Sequence, residues 1–227
     1  MRPQQNTAIW SPWLLFFCLL AAVLLPHVLW FLVGLAAVLS NNYASFQSWS
    51  HSAVSRPFYY IAPRMLAVVA CTYFARVRSA REFKSAFALG ASTSRFLVLA
   101  TMVGIWLAFF VNAIEPGGLA RIRFDLYFGI GSLALLVGPL FEEAVMRGYF
   151  YPAFRQAWPL VISIALAFVI DALLFHVRIL SIPRALLGVG CVNVIACLFR
   201  DYSKSVWPPI VFHLAYNIPF AVLVCMR

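Results

Sequence analysis

Charge is what this chain has least of. Only 11% of its 227 residues are Asp, Glu, Lys or Arg, and only seven of those are acidic. A soluble globular domain carries about 25% charged residues, so with 64% hydrophobic residues the chain lies far outside that class. It has no phosphate-cradling glycine loop and no basic groove interleaved with aromatics. Nucleotide and nucleic-acid binding are therefore not indicated, despite a net charge of +10. No HExxH pair occurs, which removes a common helical zinc-hydrolase signature. No internal repeat and no low-complexity tract is visible. The five cysteines, Cys18, Cys71, Cys191, Cys197 and Cys225, sit in apolar segments without metal-type spacing. They read as small packing residues.

What the chain has in abundance is apolar length. Runs of about 18 or more apolar residues recur along it, the pattern of a polytopic helical membrane protein. Spans are expected over residues 10–39, 58–75, 96–114, 132–155, 159–178, 185–199 and 207–225. The fold expected is an all-α transmembrane bundle of about seven to eight spans, with no room for a separate soluble domain. The run from Trp10 to Leu39 is about twice a signal-peptide core and is expected to be a membrane helix, bent near Pro26. The basic residues fall mostly in short connections. Arg76, Arg78, Arg81 and Lys84 form the densest cluster, which the positive-inside rule places in the cytoplasm. Alternation then puts the N-terminus, the turn after Arg155, Arg200 and Lys204 inside. The Glu115–Gly118 loop falls outside, as do Arg121, Arg123, Arg178 and Arg184, which run against the rule.

Ionisable groups at mid-membrane cost about 2.5–3.5 kcal/mol each by insertion scales, so each needs a partner or a wet cavity. The segment Gly138–Phe150, GPLFEEAVMRGYF, holds three of them. Glu143 and Arg147 are four residues apart and share a helix face, so they are expected to pair. Glu142 is rotated about 100° from Glu143 and is left without an explained partner. Burial disfavours a charged carboxylate, which suits a base working near pH 7. Pro139 is expected to kink the helix one turn before.

A tight turn near Trp158-Pro159 joins this span to the next. Glu142 lies about 16 residues before the turn and His176 about 18 after it, so the two sit within about 3 Å of the same depth. On the last span His213 and Asn217 share one face and both donate hydrogen bonds. Asp171 is a further buried acid with no partner that spacing can name. Asn193 reads as a polar residue joining helices.

The combination of Glu142-Glu143-x-x-x-Arg147, a histidine on the next helix and His213-x-x-x-Asn217 on the last resembles the CPBP family, also called the ABI family. That family includes the type II CAAX prenyl endopeptidases and bacterial relatives linked to bacteriocin self-immunity or peptide processing. The resemblance covers about residues 125–225, and its most specific part is the acidic pair and arginine followed by Gly148-Tyr149-Phe150-Tyr151-Pro152. One position departs. The family's second motif is Phe-x-x-x-His, whereas Ala172 stands four residues before His176 and the nearest phenylalanine is Phe175. Phenylalanine has no acid–base role, so the departure bears on substrate class rather than chemistry.

The resemblance implies two regions: N-terminal transmembrane helices with a cytoplasmic basic loop over 1–124, and a catalytic core over 125–227. It implies a metal-independent intramembrane glutamate protease that needs no cofactor. Its substrate would be a membrane-associated peptide or protein cut in CAAX-type or C-terminal processing. Glu142 and His176 would activate water, His213 and Asn217 would stabilise the oxyanion, and Glu143 and Arg147 would hold the helix in shape. The expected setting is the lipid bilayer of a bacterial inner membrane, with no nucleic-acid partner. Three other readings stay open: a non-catalytic immunity or scaffold protein of the same fold, a small carrier using Asp171, and a zinc site built from Glu142, His176 and His213.

Overall fold

A long apolar segment satisfies its own backbone most readily as a helix, which needs no outside partner for its hydrogen bonds. The computed structural model, which describes residues 12–50, 55–74, 84, 88–114, 130–176 and 183–225, follows that demand: among these residues every regular element is helical. The elements are α1 (Pro12–Leu39), α2 (Tyr43–Ser50), α3 (Ser55–Phe74), α4 (Ser94–Ile114), α5 (Ile130–Glu143), a π-helical turn (Ala144–Phe150), α6 (Tyr151–Ala157), α7 (Leu160–Phe175), α8 (Pro183–Ser203) and α9 (Trp207–Cys225). Apart from α2, and with residues 132–155 divided among α5, the π turn and α6, the helix limits fall within a few residues of the expected segments.

Two differences are instructive. The polar break after α1 contains the short helix α2, because nothing between Asn42 and Ser50 breaks a helix. Asn41, at φ 57°, ends α1: its N–H donates to Val38 O and that of Asn42 to Ala37 O. This is the closing geometry that asparagine tolerates. At Pro139, α5 stays helical through Glu143, and the departure from α geometry comes after the proline, at the π turn. Arg76, Arg78, Arg81, the Glu115–Gly118 loop, Arg121, Arg123 and Arg178 lie outside the described residues.

Outward faces carry large apolar side chains, among them Phe31, Trp106, Phe109 and Val161, all more than 60% exposed. Such a surface is unfavourable in water and at home in hydrocarbon. Among the described residues, 94–111 and 186–203 are each long and apolar enough to cross a membrane, and 64–73 and 160–175 are shorter apolar helices.

Among the described residues the buried apolar side chains form two clusters. One gathers Ala67 and Cys71 of α3, Val145, Met146, Tyr149 and Phe150 of the π turn, and Ala167 and Ile170 of α7. The other gathers Ala100, Leu107 and Ala108 of α4 with Val192, Ala196 and Phe199 of α8 and Phe212 and Tyr216 of α9. The second contains the most extensive helix pairing, α4 against α9. Gly104 makes that pairing close. A Cβ there would lie 2.9 Å from Ala215 Cβ and 3.0 Å from Tyr216 N, and closer still to the Phe212 carbonyl oxygen. Two of those three atoms are backbone, which has little room to yield. Small residues commonly permit such approaches between membrane helices.

Gly104→Ala is expected to push α9 off α4 and to cost about 1–3 kcal/mol, the usual penalty for overpacking. Thermal unfolding in detergent measures it, and a Tm equal to that of the parent protein would show that the helices are not held this close.

Candidate functional site

The acidic pair sits where the helix changes its winding. The N–H of Tyr151 donates to Met146 O, five residues back, which is the π repeat rather than the α repeat. Such turns are rare and recur at functional sites. All but the first residue of this one are buried, so its backbone groups need partners inside the protein. Arg200 of α8 provides one, donating Nε–H to Arg147 O at 2.9 Å.

Arg147 leaves the middle of the π turn and joins three helices. Its Nε lies 3.2 Å from Glu143 Oε2, Nη1 lies 3.3 Å from Asp171 Oδ2 on α7, and Nη2 donates to Asn193 Oδ1 on α8 at 2.7 Å. Asn193 in turn donates its amide Nδ2–H to Ile164 O at 3.3 Å. The pairing of Glu143 with Arg147 is the one expected from spacing, and Asn193 joins helices as its polarity suggested. Asp171, whose partner spacing could not name, shares Arg147 with Glu143. An arginine with a planar fork of donors suits this shared position better than lysine would.

Glu143 also faces α9. Its Oε1 lies 2.8 Å from His213 Nδ1, so it links the π turn to the last helix. The turn at Trp158-Pro159 sets the third approach. Trp158 N–H donates to Phe154 O at 2.8 Å, and the Trp158 carbonyl accepts from Arg155 and from Ser163 Oγ. With that turn pinned, the C-terminal end of α7 returns to the level of Glu142. His176 is the first residue past α7, at φ −127° and ψ 20°, rather than inside the helix as expected. Its Nε2 lies 3.8 Å from Glu142 Oε2, and His213 Nε2 lies 3.9 Å from the same oxygen. These separations exceed a direct hydrogen bond, so both imidazoles converge on one carboxylate oxygen without bonding it directly. Asn217 is buried one turn beyond His213 on α9.

Glu142 differs from expectation in one respect. It is not left without a partner: Arg64 of α3, itself buried, donates Nε–H to Glu142 Oε1. The Arg64 guanidinium also reaches Phe175 O at 3.4 Å and lies 5.1 Å from the centre of the Phe175 ring. The physical reason is the cost of a lone carboxylate among helices, which a guanidinium at contact distance offsets. The signal was in the sequence. Arg64 interrupts the apolar run Tyr59–Phe74, and the rule that singles out buried acids applies equally to a buried arginine. The same contact gives a role to Phe175, the aromatic that stands out of the family's position.

A metal would have to share Glu142 with this arginine, and a fixed cation already in contact with the carboxylate opposes a second one. Among the described residues, no group of three His, Cys, Asp or Glu side chains is arranged to hold a metal ion.

Residues 125–219 match the family model described as type II CAAX prenyl endopeptidase, Rce1-like. This relates the C-terminal part of the chain to the membrane-embedded CPBP proteases, and the resemblance read from the acidic pair and the two histidine motifs is supported over that stretch. No curated protein and no solved structure matches the chain. Arg64 lies outside the matched stretch.

Arg147→Met would strand Glu143, Asp171 and Asn193 at once. The expected loss is about 3–5 kcal/mol, the range for breaking a buried ion pair, with Arg147→Lys intermediate because a point charge serves fewer partners. Thermal unfolding and the size-exclusion profile in detergent read the result. A methionine variant as stable as the parent would show that the network contributes no stability.

Proposed function

From that kinship and this geometry we propose that the chain is a multi-pass intramembrane endopeptidase that cuts a peptide bond in a membrane-associated, CAAX-type or C-terminally processed substrate, in the inner membrane of a bacterium. One observation carries the reading: Glu142, His176 and His213, from three separate elements, face one another across gaps of 3.8 and 3.9 Å on a single carboxylate oxygen. A water beside that oxygen, off the lines joining it to the two rings, would meet a base and the imidazole nitrogens at hydrogen-bond range.

In this reading Glu142 Oε2 takes a proton from the water, and His176 Nε2 orients it. The water oxygen forms a bond to the scissile carbonyl carbon, and the carbonyl electron pair moves to its oxygen. His213 and Asn217 then serve that oxyanion. His213 Nδ1–H is directed at Glu143, so the ring must be imidazolium for Nε2 to donate as well, and Glu143 is the counter-ion for that form. Side-chain donors aimed at a developing oxyanion are worth about 3–4 kcal/mol each. When the carbon–nitrogen bond breaks, the proton held by Glu142 passes to the leaving amine. The products are one new carboxylate and one new amine, and no redox partner or cofactor is needed. Arg147 acts through Glu143, which it holds against His213.

A second reading has an observation of its own. A Glu142 already paired with Arg64 is also what a non-catalytic immunity or scaffold protein of the same fold would hold. Purified protein offered a quenched, farnesylated CAAX peptide in detergent separates the two. Glu142→Gln is expected to lower cleavage by about 10²–10⁴-fold with the folded protein retained. Cleavage at the parental rate in that variant would refute the protease assignment. Partner protection that survives joint replacement of Glu142, His176 and His213 would establish the scaffold reading.

A further inference from the structure

Arg64 comes from α3, in the N-terminal part of the chain, yet it touches two features of the site at once. Its Nε–H donates to Glu142 Oε1, and its Nη2 lies 3.4 Å from the carbonyl of Phe175, the last residue of α7. The next residue is His176. The guanidinium plane also rests near the Phe175 ring, at 5.1 Å from its centre. Arg64 is 3% exposed, so both contacts are made away from bulk solvent. We propose that Arg64 is a positioning residue of the active site: by holding Glu142 Oε1 and the end of α7 together, it selects Glu142 Oε2 as the oxygen that faces the imidazoles of His176 and His213.

The physical argument is geometric. A carboxylate with both oxygens unheld rotates about its terminal torsion, which is broad and roughly two-fold. Fixing Oε1 removes that freedom and leaves Oε2 aimed at both imidazole Nε2 atoms, at 3.8 and 3.9 Å. The carbonyls at a helix C-terminus lack intrahelical partners, so a cation there also anchors the helix end. His176, one residue beyond that end, is held at the distance its neighbour sets. An error of about 1 Å in such a constellation costs on the order of 10²-fold in rate. Lysine keeps the charge but has neither the fork nor the flat face that meets Phe175.

This inference rests on the protease reading, and two experiments separate their failures. With the farnesylated CAAX peptide, Arg64→Met is expected to lower kcat by about 10- to 100-fold while KM stays within about threefold. Arg64→Lys should recover part of kcat, and Arg64→Gln little of it. An unchanged kcat in folded Arg64→Met, or a loss confined to KM, would overturn the proposal. The second experiment needs no activity. Melting temperatures of Arg64→Met, Glu142→Gln and the double variant form a cycle, with Arg64→Gln replacing the methionine variant if that one does not fold. The double variant is expected to melt no lower than the less stable single one. Strictly additive losses would overturn the holding contact even if the parent cleaves the peptide. A parent protein that cleaves nothing would instead refute the protease reading, with the cycle still deciding whether Arg64 holds Glu142.

Discussion

The organising constraint is the cost of removing two guanidiniums, those of Arg64 and Arg147, and three carboxylates from water. Arg64, Arg147, Glu143, Asp171 and Glu142 are each no more than 4% exposed. In that environment an unpaired charge is worth several kcal/mol against the fold. The helices therefore arrange themselves around charge pairs, with apolar packing filling the remaining space. Arg147 fixes the mutual positions of the π turn, α7 and α8, and Glu143 extends the chain of contacts to α9. The apolar clusters lie around this axis, one centred on the π turn and one on α4, α8 and α9.

Seen this way, the adjacent glutamates do different work. Glu143 is engaged on both oxygens, by Arg147 and by His213, and this fixes the ring of a histidine that also faces Glu142. Glu142 receives Arg64 on Oε1 and turns Oε2 toward two imidazoles. A pair of identical residues thus faces two different sets of partners, because the helix turns by about 100° between them.

Much of this was legible in the sequence, for definite reasons. Apolar run length located α3, α4, α7, α8 and α9 because hydrocarbon leaves a backbone few alternatives to the helix. Four-residue spacing predicted the pair Glu143–Arg147, and counting from the Trp158-Pro159 turn brought His176 level with Glu142, since both arguments need only helix rise and rotation. What spacing does not encode is contact between distant helices. The approach of Arg64 to Glu142, of Asp171 to Arg147 and of Gly104 to α9 depends on which faces meet, and a single sequence leaves that undetermined. The π winding of residues 144–150 was equally hidden, because its residues read as an ordinary apolar helical stretch. The helix α2 was missed because its polar composition reads as a break.

The π turn makes chain length a constraint in its own right. A π turn holds about one residue more per turn than an α turn, so a one-residue deletion that restored α winding would leave the flanking helices near their present phase. A deletion between Glu143 and Arg147, however, would shorten the four-residue spacing on which their pairing rests. A related chain one position shorter between the second glutamate and the arginine would hold the same letters with the guanidinium carried about a third of a turn away from its carboxylate.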